Sequence, residues 1–186
     1  MRISKYSDFK KILILHGFGA NSNDIFYGHM KNRLSNIGDV YLPQLPNSDN
    51  PNDVVQSNSI KDQFDIVIAH SFGCVTALRY AENHKLNSLI LVSGFVDVNF
   101  YDGDPDIELL KKSSTWKFNF NKILSNCDKI WILYPNEDTT VTLSQIQNLS
   151  KNLKSPIIRF QEEDDHACGD REDDLIDLVI DLIGEN

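Results

Sequence analysis

"IVIAHSFGCVT", residues 66 to 76, decides the fold. The run Ile66-Val67-Ile68 is apolar without alternation, as in a strand covered on both faces, and such strands belong to parallel sheets. It stops at His70-Ser71, and a stretch containing Gly73 and Cys74 then leads into helical sequence. In parallel sheets, catalytic and binding groups gather at the carboxyl ends of strands, so Ser71 stands at a functional position. Ala69-His70-Ser71-Phe72-Gly73 approximates G-x-S-x-G, a sharp strand-to-helix turn that exposes a serine Oγ. Ala69 and Gly73 are small, as they must be where the two backbones approach closely.

Five further segments have the composition of buried strands, at residues 11 to 16, 39 to 44, 86 to 93, 129 to 135 and 156 to 161. Helices are expected at 23 to 36, 52 to 62, 73 to 84, 105 to 112, 119 to 126, 142 to 153 and 171 to 183. The last is the clearest, because Leu175, Leu178, Val179, Leu182 and Ile183 recur at helical spacing. Strands alternating with helices imply right-handed βαβ units with helices on both faces. The expectation is one three-layer α/β/α domain over residues 1 to 186, built on a mostly parallel six-stranded sheet. Residues 94 to 128 are too few for a large lid domain.

The 18 Lys plus Arg against 27 Asp plus Glu leave a net charge of −9, which opposes nucleic acid and other polyanions. No apolar run is long enough for a membrane span, and the first residues lack the pattern of a secretory leader. Cys74, Cys127 and Cys168 are odd in number and lack paired metal-ligand spacing, which suits free thiols in the cytoplasm. The acidic runs at 162 to 165 and 170 to 174 read as solvated surface.

An activated serine needs a base and a group that orients the base. Asp138 follows the fifth strand and His166 the sixth, giving the chain order Ser, Asp, His. Asp97, after the fourth strand, is a rival acid, and Asp138 could instead begin the helix near 142. "HGFG", residues 16 to 19, follows the first strand, and its glycines let backbone N–H groups turn toward Ser71 as an oxyanion hole requires. The donors are expected to be Phe72 together with Phe18 or Gly17. The aromatic residues after the fourth strand, Phe95, Phe100, Tyr101, Trp116, Phe118 and Phe120, should either line an acyl pocket or simply pack the core; Phe95 and Trp116 are the pocket candidates, with Phe18. His70 reads as structural and Cys74 as packed.

The segments "ILILHGFGANSNDIFYGHMKNRL", "YLPQLPNSDNP", "FDIVIAHSFGCVTALRY", "LILVSGF", "WILYPNEDTTV" and "DDHACGD" together resemble the YdeN-like small serine hydrolases, relatives of the retinoblastoma-binding serine hydrolase. The likeness runs from about residue 11 to 183. It implies a compact α/β-hydrolase fold that lacks the first strands of larger members, with nucleophile, acid and base on Ser71, Asp138 and His166. The activity expected is hydrolysis of small carboxylic esters or thioesters through an acyl-enzyme, without cofactor or metal. The competing expectation is a protein-binding module that keeps the fold with little turnover, its partner unspecified.

Overall fold

The computed structural model describes residues 9–98, 108–109 and 116–184. Six strands, β1 (Lys10–Leu15), β2 (Gly38–Tyr41), β3 (Ile66–His70), β4 (Leu86–Val92), β5 (Cys127–Pro135) and β6 (Ile157–Phe160), form one sheet in the order β2-β1-β3-β4-β5-β6. All five pairings are parallel. Every residue of β3 is buried, and Ala69 pairs with Leu15 on one side and Leu91 on the other. The continuous apolar run is thus the centre of a sheet covered twice.

The strands alternate side chains between two cores. Leu13, Leu15, Val67, Ala69, Leu89, Leu91 and Ile132 face α3 (Phe72–Ala81), α4 (Phe120–Asn126) and α5 (Leu143–Leu153). The opposite set, Ile12, Ile14, Ile66, Ile68, Ile90, Val92 and Leu133, meets α1 (Ile25–Leu34) and the closing helix α6 (Asp173–Gly184). Short α2 (Asp53–Ser59) packs on α3. Helix α6 buries Leu175, Val179, Leu182 and Ile183 as its periodicity announces, but Leu178 is only partly covered and Ile176 is buried in its place. Truncating one such fully buried side chain to Ala costs about 2–5 kcal/mol.

Element ends depart from expectation for local reasons. Strand β2 stops at Tyr41 rather than 44: the chain peels off the sheet edge there, Pro43 has no N–H to pair, and the Leu45 N–H instead donates to His16 Nε2 at 3.0 Å. Helix α2 ends at Ser59 rather than 62, where Ser57 and Ser59 hydroxyls bond the carbonyls of Val54 and Gln56. The helix expected at 105 to 112 falls outside the described residues apart from 108 and 109, which are helical, and Phe100 and Tyr101 fall outside them as well.

The chain leaves β1 toward β2 on one side and returns to β3 on the other. This reversal of strand order opens a crevice beyond the carboxyl ends of β1 and β3, where α/β sheets bind ligands. Residues 16 to 20 and Ser71 emerge there.

Candidate active site

Ser71 occupies φ 54°, ψ −125°, between the last residue of β3 and the first of α3. A non-glycine residue in this region costs about 1–3 kcal/mol, so the surroundings must over-determine it. The Ser71 N–H donates to Val92 O at 2.9 Å, continuing the sheet. Gly73 meets the other demand: a Cβ there would lie 2.4 Å from Leu15 O and 2.7 Å from His16 O. Only glycine lets α3 start directly against the end of β1.

His166 stands on a one-turn 3-10 segment, Asp165–Ala167, after β6. Its Nδ1 lies 3.0 Å from both carboxylate oxygens of Asp138, and its Nε2 lies 2.9 Å from Ser71 Oγ. The Asp138 side chain is wholly buried and that of His166 nearly so. Asp138 Oδ1 also accepts the N–H groups of Thr140 and Val141. Burial alone would raise the pKa of Asp138, but the hydrogen bond and charge of His166, with the Val141 N–H, outweigh it and hold the carboxyl below its usual value. An ionised Asp138 only accepts, so the imidazole proton sits on Nδ1 and bare Nε2 faces the serine hydroxyl. Asp138 does not cap α5; Thr142 does, in a reciprocal capping box with Gln145. Asp97, the rival acid, is bonded to Asn148 on α5 instead.

The loop after β1 is braced from outside. His16, fully buried, accepts from Leu45 N at Nε2, so its Nδ1 carries the proton and donates to Gly17 O; burial keeps the ring neutral. The Gly19 N–H donates to Ser48 O and the Ser22 N–H to Gln44, so the segment "LPQLPNS" holds the loop in place. Gly17 lies against the serine, where a Cβ would approach Ser71 Cβ to 3.1 Å. Its N–H is already committed to the Tyr27 hydroxyl at 3.0 Å, which removes it as an oxyanion donor. The Phe18 N–H has no hydrogen-bond partner among the described residues, and the Phe72 N–H lies in the first turn of α3, where helices leave such groups unpaired.

A cavity of about 670 Å³ opens over Ser71 and His166, lined by Phe18, Ala20, Ile25, Phe26 and Thr140 among others, with Asp24, Cys168 and Asp170 also on its wall. Phe95 and Trp116 do not line it. Phe95 is buried with its ring 5.5 Å from that of Trp116, which in turn lies 5.9 Å from Phe72. These rings back the first turn of α3 because its inner face is apolar, and they close the core behind the serine rather than the space before it.

The acidic runs are only partly solvated surface. Glu162 accepts the N–H groups of Asn136 and Glu137, and Asp165 accepts the N–H and hydroxyl of Thr139, tying the histidine loop to the loop that carries Asp138. Glu172, fully buried, accepts the N–H groups of Glu163, Asp164 and Gly169 at 2.9 to 3.2 Å. These carboxylates hold His166 and Ala167 at φ 61° and 53°, the left-handed region that side chains disfavour. Sequence reasoning missed them, as it missed Tyr27. Cys74 is packed as expected, buried between Ala69 O and Val92 O with its thiol pKa pushed up by burial. Among the described residues no cluster of three or more His, Cys, Asp or Glu could hold a metal ion, and no helix is long and apolar enough to cross a membrane.

Comparison with known proteins agrees with this architecture. A sequence model of the serine hydrolase family matches residues 12–167. YdeN of Bacillus subtilis, named as a hydrolase, is 24% identical over 165 residues, covering 82% of this chain and 83% of that protein. Its crystal structure superposes with a TM-score of 0.78 over 94% of this chain and 99% of its own, at 21% identity. The serine hydrolase RBBP9 of Rattus norvegicus is 28% identical over 101 residues, 54% of this chain and 52% of that one. A carboxylesterase structure from the thaumarchaeon Nitrososphaera gargenis superposes at 0.69 with 13% identity, covering 96% of this chain and 91% of its own.

Proposed function

The chain belongs to the serine hydrolase family, and from that premise we propose that it cleaves small carboxylic esters or thioesters through an acyl-enzyme on Ser71. One observation carries the reading: Ser71 Oγ lies 2.9 Å from His166 Nε2, whose Nδ1 is bonded to buried Asp138, beneath a cavity. His166 takes the hydroxyl proton as Oγ attacks the acyl carbon, then gives it to the leaving alcohol or thiol. A water, deprotonated by the same histidine, frees the acid. Asp138 keeps the proton on Nδ1 and stabilises the imidazolium. The N–H groups of Phe72 and Phe18 receive the oxyanion. Ser71 on its strained turn is the nucleophile elbow of this scheme.

Phe18, Ala20, Ile25 and Phe26 give the cavity apolar walls for a compact acyl group. Asp24 and Asp170, with no Lys or Arg among the lining residues described, favour neutral or cationic substrates over anionic thioesters such as acyl-CoA. The carboxylesterase among the structural neighbours supports ester chemistry on this fold. Free Cys74, Cys127 and Cys168 fit a reducing compartment, the cytoplasm. The test is a panel of p-nitrophenyl esters of graded chain length, with one carboxylate-tailed member. Turnover of the short neutral esters, abolished in Ser71→Ala, is expected; equal turnover by Ser71→Ala, or none by the folded wild type, contradicts the reading.

A further inference from the structure

Tyr27, on α1, and His70, the last residue of β3, join the two halves of the site through hydrogen bonds whose directions are fixed by chemistry. His70 Nε2 lies 2.8 Å from His166 O, and a carbonyl only accepts, so Nε2 carries the proton. The ring is buried, and burial, aided by the nearby His166, lowers its pKa to about 3. Neutral His70 therefore has a bare Nδ1, and the Tyr27 hydroxyl at 3.0 Å must donate to it. With its proton spent, the Tyr27 oxygen accepts the N–H of Gly17 at 3.0 Å. The sequence of bonds runs from Gly17 through Tyr27 and His70 to the main chain of His166 without one ambiguous donor.

Both side chains are anchored in the core. The His70 backbone is paired with Val92 in the sheet, and Tyr27 is buried against Phe26 with ring centroids 4.9 Å apart. What they hold is loop backbone: His166 has φ 61° and its neighbour Ala167 φ 53°, while Gly17 immediately precedes the Phe18 N–H. The His70 and His166 rings lie 4.9 Å apart at 49°, so His70 touches the base as well as its carbonyl.

We propose that Tyr27 and His70 are positioning residues, a directional hydrogen-bond relay that sets the oxyanion loop and the His166 loop in register on either side of Ser71. The inference rests on the hydrolase reading above. Removing a relay member leaves Ser71, His166 and Asp138 in place but loosens their mutual geometry. Displacements of this order cost roughly ten- to hundredfold in turnover.

The experiment compares wild type, Tyr27→Phe, His70→Leu and His70→Gln by ester turnover per titrated active site. The same four proteins are examined at rest by imidazole nitrogen NMR, which needs no turnover. Tyr27→Phe and His70→Leu should lose roughly ten- to hundredfold in kcat with little change in KM. His70→Gln, which keeps an N–H donor for His166 O, should recover most of the loss, and the resting wild type should carry its His70 proton on Nε2. Unchanged kcat in both Tyr27→Phe and His70→Leu, a loss wholly explained by fewer titratable sites, or a His70 proton on Nδ1 overturns the relay. A wild type that hydrolyses no ester yet has the assigned tautomers defeats the hydrolase reading instead, and leaves the relay as a structural brace with no catalytic part.

Discussion

The serine half of the site and the histidine half are held in place by different physics. Ser71 and Gly17 emerge from β3 and β1, the core of the sheet, where register, apolar burial and the close approach at Gly73 leave one possible position. Asp138 and His166 emerge from β5 and β6, toward the sheet edge, on loops that contribute little apolar surface. There the backbone is fixed by carboxylates: Glu162 on residues 136 and 137, Asp165 on Thr139, and Glu172 on three N–H groups of the histidine loop. Ser71, at the end of a central strand, is placed mainly by packing and sheet register, whereas His166, after an edge strand, sits on a loop held mainly by carboxylates. The first half should therefore fail through steric change and the second through loss of charge.

The largest expected effect separates the acids. Asp138→Asn should lower kcat by roughly ten-thousandfold, because the imidazole then adopts the wrong tautomer. Asp97→Asn, whose partner is Asn148 on α5, should remain close to wild type in the same assay. The reverse ranking would move the orienting acid to the end of β4.

A smaller effect tests the packed half. Gly73→Ala places a methyl group 2.4 Å from Leu15 O, a backbone atom that cannot yield. About 1–3 kcal/mol of stability should be lost in urea denaturation, with kcat reduced roughly a hundredfold per folded molecule as Ser71 shifts. Wild-type stability in this variant would mean that α3 does not press on β1 as described.

Glu172→Gln tests the charged half. A neutral amide cannot accept from the N–H groups of Glu163, Asp164 and Gly169 together, and the cost of a buried group left unpaired is about 1–3 kcal/mol. Amide exchange should speed up in residues 163 to 169 and stay slow in β3. Uniform loosening of both would erase the contrast between the halves.

The smallest effect is on acid stability. The Thr139 hydroxyl and N–H bonded to Asp165, and His166 beside Asp138, hold both carboxyls below their usual pKa. A carboxyl depressed in the folded state contributes stability above its unfolded value of about 3.9, and that contribution is lost as pH falls through the folded pKa. Stability should therefore decline below about pH 4. Asp165→Asn should decline slightly less steeply, by a margin kept small because the group is largely exposed.

The same contrast explains what the sequence discloses. Ile66 to Gly73 is legible because burial on both faces forces an apolar run and the tight turn forces small residues, and both constraints are written in residue type. The order Ser71, Asp138, His166 is legible because each follows a strand. Glu172 is not: amid Asp170, Arg171, Asp173 and Asp174 it has the composition of solvated surface, and only the fold shows that its carboxylate points inward. Phe95 and Trp116 mislead for the converse reason, since an aromatic ring after a strand packs equally well behind a site as in it. Tyr27 and His70 carry no local signal, because their partnership spans 43 residues.

Whether Ser71 is the activated nucleophile of this site is tested most directly by reacting the native protein with a fluorophosphonate and locating the adduct by mass spectrometry. One adduct per chain is expected, on Ser71, formed rapidly by wild type and far more slowly by Asp138→Asn. An adduct on another residue, or no adduct on a folded protein, would contradict that role for Ser71.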